Sequence, residues 1–157
     1  MDGSHNIQKC YDVTKETLLR VFDELLKHKV DLKGICLKPN MIVPGFKSPK
    51  KVISEEIAKK TLDCLKKNVP SEVPGIAFLS GGQSEVEATE NLNLINKNND
   101  TNFIMTYSYG RALQQSTLKF WSKNIKDIEG AQTIFNHRAR MNTLAAQGKW
   151  SSELENK

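Results

Sequence analysis

Gly34-Ile35-Cys36-Leu37-Lys38-Pro39-Asn40 reads as a short, largely apolar β-strand stopped by a proline. Pro39 has no N–H to give to a neighbouring strand, so pairing ends there. Lys38 is therefore placed at the C-terminal mouth of the strand. If the flanking strand residues are buried, its ammonium form loses hydration and the free amine is favoured. A free amine can attack a carbonyl and form a Schiff base. Taken alone, the seven residues fit a solvated lysine closing a strand better. What changes the balance is the pattern on either side.

Upstream, Leu18, Leu19, Val21, Phe22, Leu25 and Leu26 make a broad helical stripe over about residues 14–29, with Thr14 and Glu16 suited to its start. Downstream, a Pro- and Gly-containing loop over 39–52 leads to a second helix, about 54–67. Ser54 is its candidate cap, and Ile57, Ala58, Thr61, Leu62 and Leu65 form its inward face. Gly75-Ile76-Ala77-Phe78-Leu79-Ser80 is a second strand. Gly81-Gly82-Gln83-Ser84 turns into a third helix, with Ser84 as cap and Glu85 and Glu87 in the first turn. Phe103 to Ser108 is a third strand, Tyr109-Gly110-Arg111 opens a helix through about Lys123, and a last helix spans about 127–147. Strands separated by helices imply parallel pairing with right-handed crossovers. Loops carrying function should then lie at one edge, where Lys38, Ser80 to Gly82 and Ser108 to Arg111 all fall.

The chain has 157 residues, the size of one domain. No apolar run is long enough to span a membrane, and Met1-Asp2-Gly3-Ser4-His5 has no apolar segment of a secretory signal. Cys10, Cys36 and Cys64 are odd in number and widely spaced, which suits reduced thiols in a cytoplasmic protein. A net charge of +5 permits an anionic partner. The lysines lie in loops and on polar helix faces without interleaved aromatics, which disfavours nucleic acid and leaves small phosphorylated molecules.

Ser80, Gly81 and Gly82 let backbone N–H groups approach an anion, and the helix starting near Ser84 adds partial positive charge. Gly110 and Arg111 repeat the arrangement one strand later, with a guanidinium able to grip phosphate in two bonds. A tight β–α turn and a capping arginine are the plainer readings of each motif alone. Together they suggest a phosphate cradle. His5, His28 and His137 are isolated and no Cys/His cluster has ligand spacing, so no metal and no cofactor is expected.

Leu37-Lys38-Pro39-Asn40-Met41, Leu79 to Glu85, Ser108 to Gln114 and Ala146-Gln147-Gly148-Lys149 resemble class I fructose-bisphosphate aldolase, in that family's order and spacing. The resemblance covers nearly the whole chain. It implies reversible cleavage of fructose 1,6-bisphosphate to dihydroxyacetone phosphate and glyceraldehyde 3-phosphate, in glycolysis and gluconeogenesis. It also implies that Lys38 is the Schiff-base lysine, that Ser80, Gly81 and Gly82 hold the 1-phosphate, and that Ser108, Gly110 and Arg111 bind substrate. Relatives of this kind are homotetramers, and a cytoskeletal or other anionic partner is a further expectation.

The family's fold is a TIM (β/α)8 barrel, commonly of about 250 residues. This chain has three strands, resembling the sixth to eighth. Residues 1–150 would be the C-terminal half of such a barrel and 151–157 a truncated polar tail lacking the family's terminal tyrosine. The family's glutamate acid/base, its catalytic aspartate and the lysines of earlier strands have no counterpart here. Trp150 stands where another aromatic is usual. The chain alone is therefore expected to be inactive. A non-catalytic interaction protein, or a phosphosugar-binding half-barrel of other function, are the alternative readings.

Overall fold

The computed structural model describes residues 1–156; Lys157, the last residue of the expected tail, lies outside them. Strands β1 (Cys36–Leu37), β2 (Gly75–Phe78) and β3 (Ile104–Tyr107) form one parallel sheet in the order β1-β2-β3. Helices α1 (Ile7–Lys27), α2 (Ser54–Asn68), α3 (Glu85–Lys97), α4 (Arg111–Trp121) and α5 (Ile128–Ala146) alternate with and follow them. This is the expected α/β class, with each strand shorter than its apolar run.

The register explains which side of the sheet is packed. Leu37, Ile76 and Met105 lie side by side, and Phe78 pairs with Tyr107. Ile76 and Phe78 are fully buried and Met105 nearly so. Side chains alternate across a strand, so the row Cys36, Gly75 and Ile104 belongs to the opposite face. There Cys36 is exposed and Ile104 is 75% exposed. One face of the sheet carries the helices and the other is bare.

The helices form where apolar spacing and caps coincide, with three corrections to the sequence reading. α1 begins at Ile7 rather than near Thr14, because the Asn6 side chain accepts from Lys9 N–H at 2.8 Å and Asn caps as well as Thr. Ile7, Cys10, Thr14, Leu18 and Phe22 are its buried stripe. Leu19, Val21 and Leu26 of the expected stripe are exposed. In α2 the expected face is buried, but the cap position is Ile53, with no side-chain bond. The Ser54 hydroxyl instead donates to Glu90 of α3 at 3.0 Å. α3 has the expected capping box: Ser84 Oγ accepts from Glu87 N–H, and the Glu87 carboxylate accepts from Ser84 N–H.

The segment after β1, expected as a loop, is part of the core. Met41, Ile42 and Val43 are buried. Ile42 N–H donates to Thr61 Oγ1 at 2.9 Å, and the Asn40 amide donates to Thr14 Oγ1 and to the Met41 carbonyl, each at 3.0 Å. Further on, N–H groups of Gly45, Phe46 and Lys47 donate to the carbonyls of His5, Met1 and Gly3. A Cβ on Gly45 would sit 2.2 Å from the Gly3 oxygen, so only glycine allows the two segments to lie this close. The Met1 side chain comes to rest over Gly81 and Gly82.

At the other end, Gly148 leaves α5 with φ +67°, and Trp150 turns back into the core. A 3-10 turn over Ser152–Asn156 carries Glu155 to Arg138 of α5, which pairs with both carboxylate oxygens. Trp150 Nε1–H donates to the same carboxylate at 2.8 Å. Burial alone would push the Glu155 carboxyl up. The bonds from Arg138 and Trp150, with the charges of Arg138 and His137, outweigh it and hold the group below the usual range. A depressed folded pKa stabilises the fold above the ordinary glutamate value, about 4.3. That contribution is lost as pH falls through the depressed value. In a Trp121→Phe background, Trp150 emission should therefore shift to the red below about pH 4.3. Glu155→Gln should show the shifted emission already at neutral pH, with a loss of about 1.5–3 kcal/mol for the charge-assisted bonds. A Glu155→Gln emission matching the unsubstituted protein at pH 7 would show that the clasp is not formed in solution.

Candidate active site

Lys38 stands one residue beyond β1, whose mouth is fixed by the buried Met41-Ile42-Val43 run and the Asn40 amide. It is two residues from Cys36, so strand alternation puts it on the bare face. Both residues are exposed. The burial expected around Lys38 is therefore not met within these residues: β1 is an edge strand two residues long, and nothing packs against its open face.

Two hydrogen bonds carry the ladder past the strand ends. Leu79 N–H donates to the Pro39 carbonyl at 3.0 Å, and Ser108 N–H donates to the Phe78 carbonyl at 2.8 Å. Pro39 thereby comes level with Phe78 and Tyr107, and Lys38 with Ala77 and Thr106, so Ser80 stands three residues and Ser108 two residues further along than Lys38, each past the C-terminal end of its strand. The three loops singled out from sequence are brought to that edge.

Ser80 to Gln83 form a turn in which Gln83 N–H donates to the Ser80 carbonyl at 3.0 Å, with Gly82 at φ +77° in the third position. A type II turn demands that conformation there, and glycine adopts it without strain. A Cβ on Gly81 would meet Leu79 Cδ1 at 2.8 Å. Among the described residues, the N–H groups of Ser80, Gly81 and Gly82 donate to nothing, and α3 starts immediately beyond with its positive end toward the turn.

The next loop is held from beneath. Tyr109 is buried, and its hydroxyl donates to the Ala88 carbonyl of α3 at 2.9 Å; burial pushes this phenol well above its ordinary value. Ser108 and Gly110 on either side are exposed, and a Cβ at Gly110 would meet nothing within 4 Å. Arg111 is the first residue of α4, exposed and without a hydrogen bond or ion pair among the described residues. Glu85 accepts from Ser116 N–H at 3.0 Å and from its hydroxyl, which ties the start of α3 to α4.

A cavity of about 420 Å³ lies to one side, bordered by Met1, Val43 to Phe46, Gly81, Gly82, Gln83 and Asn91. Lys38, Ser108 and Arg111 do not line it, so the convergence of the three loops is an open edge and not this cavity. Among the described residues no group of three His, Cys, Asp or Glu side chains gathers as a metal cluster. No described helix is long and apolar enough to cross a membrane. Tyr109, Gln83 and Asn91 support the two loops without announcing it in the sequence. A tyrosine inside Ser108-Tyr109-Gly110 carries no visible signal of burial, and the Gln83–Asn91 spacing of eight residues links positions in a turn and a helix.

The family described as class-I fructose-bisphosphate aldolase has a model that matches residues 1–157. The chain is 47% identical over 156 residues to a cytosolic fructose-bisphosphate aldolase of Arabidopsis thaliana, covering 99% of this chain and 40% of the relative. It is 46% identical to fructose-bisphosphate aldolase C of Pan troglodytes, covering 98% and 43%. A fructose-bisphosphate aldolase from Plasmodium falciparum, solved with TRAP and a small-molecule inhibitor, superposes with a TM-score of 0.92 at 40% identity. That likeness covers 96% of this chain and 44% of the other, and makes the three-stranded sheet with its helices part of an α/β barrel. The chain thus spans less than half the length of the relatives it matches, and over that span it belongs to the class-I fructose-bisphosphate aldolase family.

Proposed function

We infer that this chain supplies the Schiff-base lysine and the 1-phosphate site of a fructose-bisphosphate aldolase. The observation that supports it most is the gathering of Lys38, the free N–H groups of Ser80 to Gly82, and the uncommitted guanidinium of Arg111 along one sheet edge. The Lys38 amine attacks the C2 ketone of fructose 1,6-bisphosphate, and loss of water gives an iminium. When the C3–C4 bond breaks, its electron pair flows into that iminium as an enamine. Protonation and hydrolysis then release dihydroxyacetone phosphate and restore the amine. The proton taken from the C4 hydroxyl needs a base these residues do not provide; in the family it comes from earlier strands. The 1-phosphate rests on the Ser80–Gly82 turn at the positive end of α3, with Arg111 countering its charge. Ser108 and Gly110 complete the rim, Ser108 as a hydroxyl partner and Gly110 by leaving room beside the guanidinium.

A homotetramer formed with the rest of the barrel, a cytoplasmic location like that in the names of the Arabidopsis relatives, and contact with a cytoskeletal or other anionic partner belong to the same reading. The test is Arg111→Ala in this chain co-folded with the N-terminal part of a full-length relative. Binding of phosphorylated substrate should weaken by about 1.5–3 kcal/mol, the range for a charge-assisted bond. An unphosphorylated analogue should be little affected. Equal losses for both would make Arg111 structural and remove the phosphate role.

A further inference from the structure

We propose that Gln83, tethered by Asn91, is the positioning residue that sets the anion-binding shape of the Ser80–Gly82 turn. This rests on the phosphate-loop reading above and extends it to residues that touch no phosphate. The Ser80 carbonyl accepts twice from one residue: the Gln83 backbone N–H at 3.0 Å and the Gln83 side-chain Nε2–H at 3.0 Å. Both acceptor positions of that oxygen are occupied, so the carbonyl is held toward the helix. The peptide that follows it, whose N–H belongs to Gly81, is fixed with it. Two flexible glycines alone would not hold this geometry, because glycine adopts many backbone conformations.

Gln83 is in turn oriented from below. Asn91, 2% exposed on α3, donates its Nδ2–H to Gln83 Oε1 at 2.7 Å. An amide has one donor end and one acceptor end. Engaging the oxygen of Gln83 obliges its NH2 to face the Ser80 carbonyl. Asn91 Oδ1 is buried and makes no hydrogen bond among the described residues, and Asn91 is one of the residues that border the cavity beside the turn. A buried amide left half-satisfied is costly, so packing alone is a poor reason for an asparagine here; aiming Gln83 is a better one. Gln83 also places Nε2 3.6 Å from Met41 Sδ, which links the turn to the segment that fixes Lys38.

The experiment titrates inorganic phosphate into the 157-residue chain and into Gln83→Met, Asn91→Leu and the double variant, with Gly81→Ala as the control for the site. Methionine keeps the length of glutamine and removes the donor. Gln83→Met should weaken phosphate about tenfold, the effect of one lost hydrogen bond on a preformed site. Asn91→Leu should weaken it less, and the double variant no more than Gln83→Met. The thermal unfolding temperature of Gln83→Met should fall, because the buried Asn91 amide loses its partner, whereas the double variant should regain stability without regaining phosphate binding, a separation a merely structural role would not give. Phosphate binding that Gly81→Ala abolishes and Gln83→Met leaves intact overturns the relay while the phosphate loop stands. Additive losses in the double variant overturn the tether through Asn91. No phosphate binding by the unsubstituted chain overturns the loop reading and the relay with it. Should Asn91→Leu fail to fold, Gln83→Met decides the proposal alone.

Discussion

Borohydride reduction with dihydroxyacetone phosphate should fix the adduct on Lys38 and on no other lysine, in this chain co-folded with the N-terminal part of a full-length relative. Lys38→Met should then give neither adduct nor turnover above background. The carbonyl carbon must meet an unprotonated amine held at a fixed point. Among the described residues only Lys38 is a lysine at a strand mouth, with the segment beyond it pinned by Thr61, through the Ile42 N–H, and by Thr14, through the Asn40 side chain. Lys47, Lys50 and Lys51 sit in the loop that follows, exposed. Lys149 lies past the end of α5. Peptide mass mapping after reduction decides the matter. An adduct at Lys50 or Lys149 removes the assignment on which the proposed chemistry depends.

Assayed by itself, the 157-residue chain is expected to cleave no fructose 1,6-bisphosphate and to elute as associated species rather than as a monomer. A general acid or base contributes about 10²–10⁴-fold in rate, and no carboxylate follows directly on any of the three strands. The association follows from the sheet. β1 and β3 each leave one edge unpaired, and the bare face presents Ile104 and Cys36 to solvent. On α4, the turn after it and the start of α5, Leu118, Trp121, Ile125 and Ile128 add further exposed apolar area. Size-exclusion chromatography combined with a coupled cleavage assay tests both halves. A monodisperse, active monomer would show that three strand–helix units suffice and that the bare face needs no partner.

The order of elements was legible because apolar periodicity switches cleanly between strand and helix along this chain, and the Ser84–Glu87 cap is a strong local signal. Their ends were less so. Thr14 looked like a cap because the apolar stripe thickens after it, whereas Asn6 does the capping and Thr14 receives the Asn40 amide from another segment. Ser54 was likewise claimed by Glu90, a partner in α3 that no local pattern reveals. Met41-Ile42-Val43 resembled loop because Pro39 and Pro44 enclose them, yet tertiary packing buries all three. For the site, the common edge was readable from β–α alternation, since parallel strands send all their C-terminal loops one way. The exposure of Lys38 was not readable: burial of a strand depends on what lies on its other face, and the sequence of the strand does not hold that information. The roles of Gln83 and Asn91 are not legible in the sequence because they come from one amide orienting the next across a turn.

The lodging of Met1 against Gly81 and Gly82 has a practical corollary. In the 157-residue chain made by itself, this end is open to enzymatic attachment of a probe. A small environment-sensitive fluorophore attached there would lie beside the turn without replacing any side chain that forms it. Its emission would report occupation of the turn directly, without substrate turnover or a reconstituted barrel. By the same geometry a bulky affinity tag at this end would crowd the turn. The opposite terminus, beyond the clasp formed by Arg138, is the better place for one.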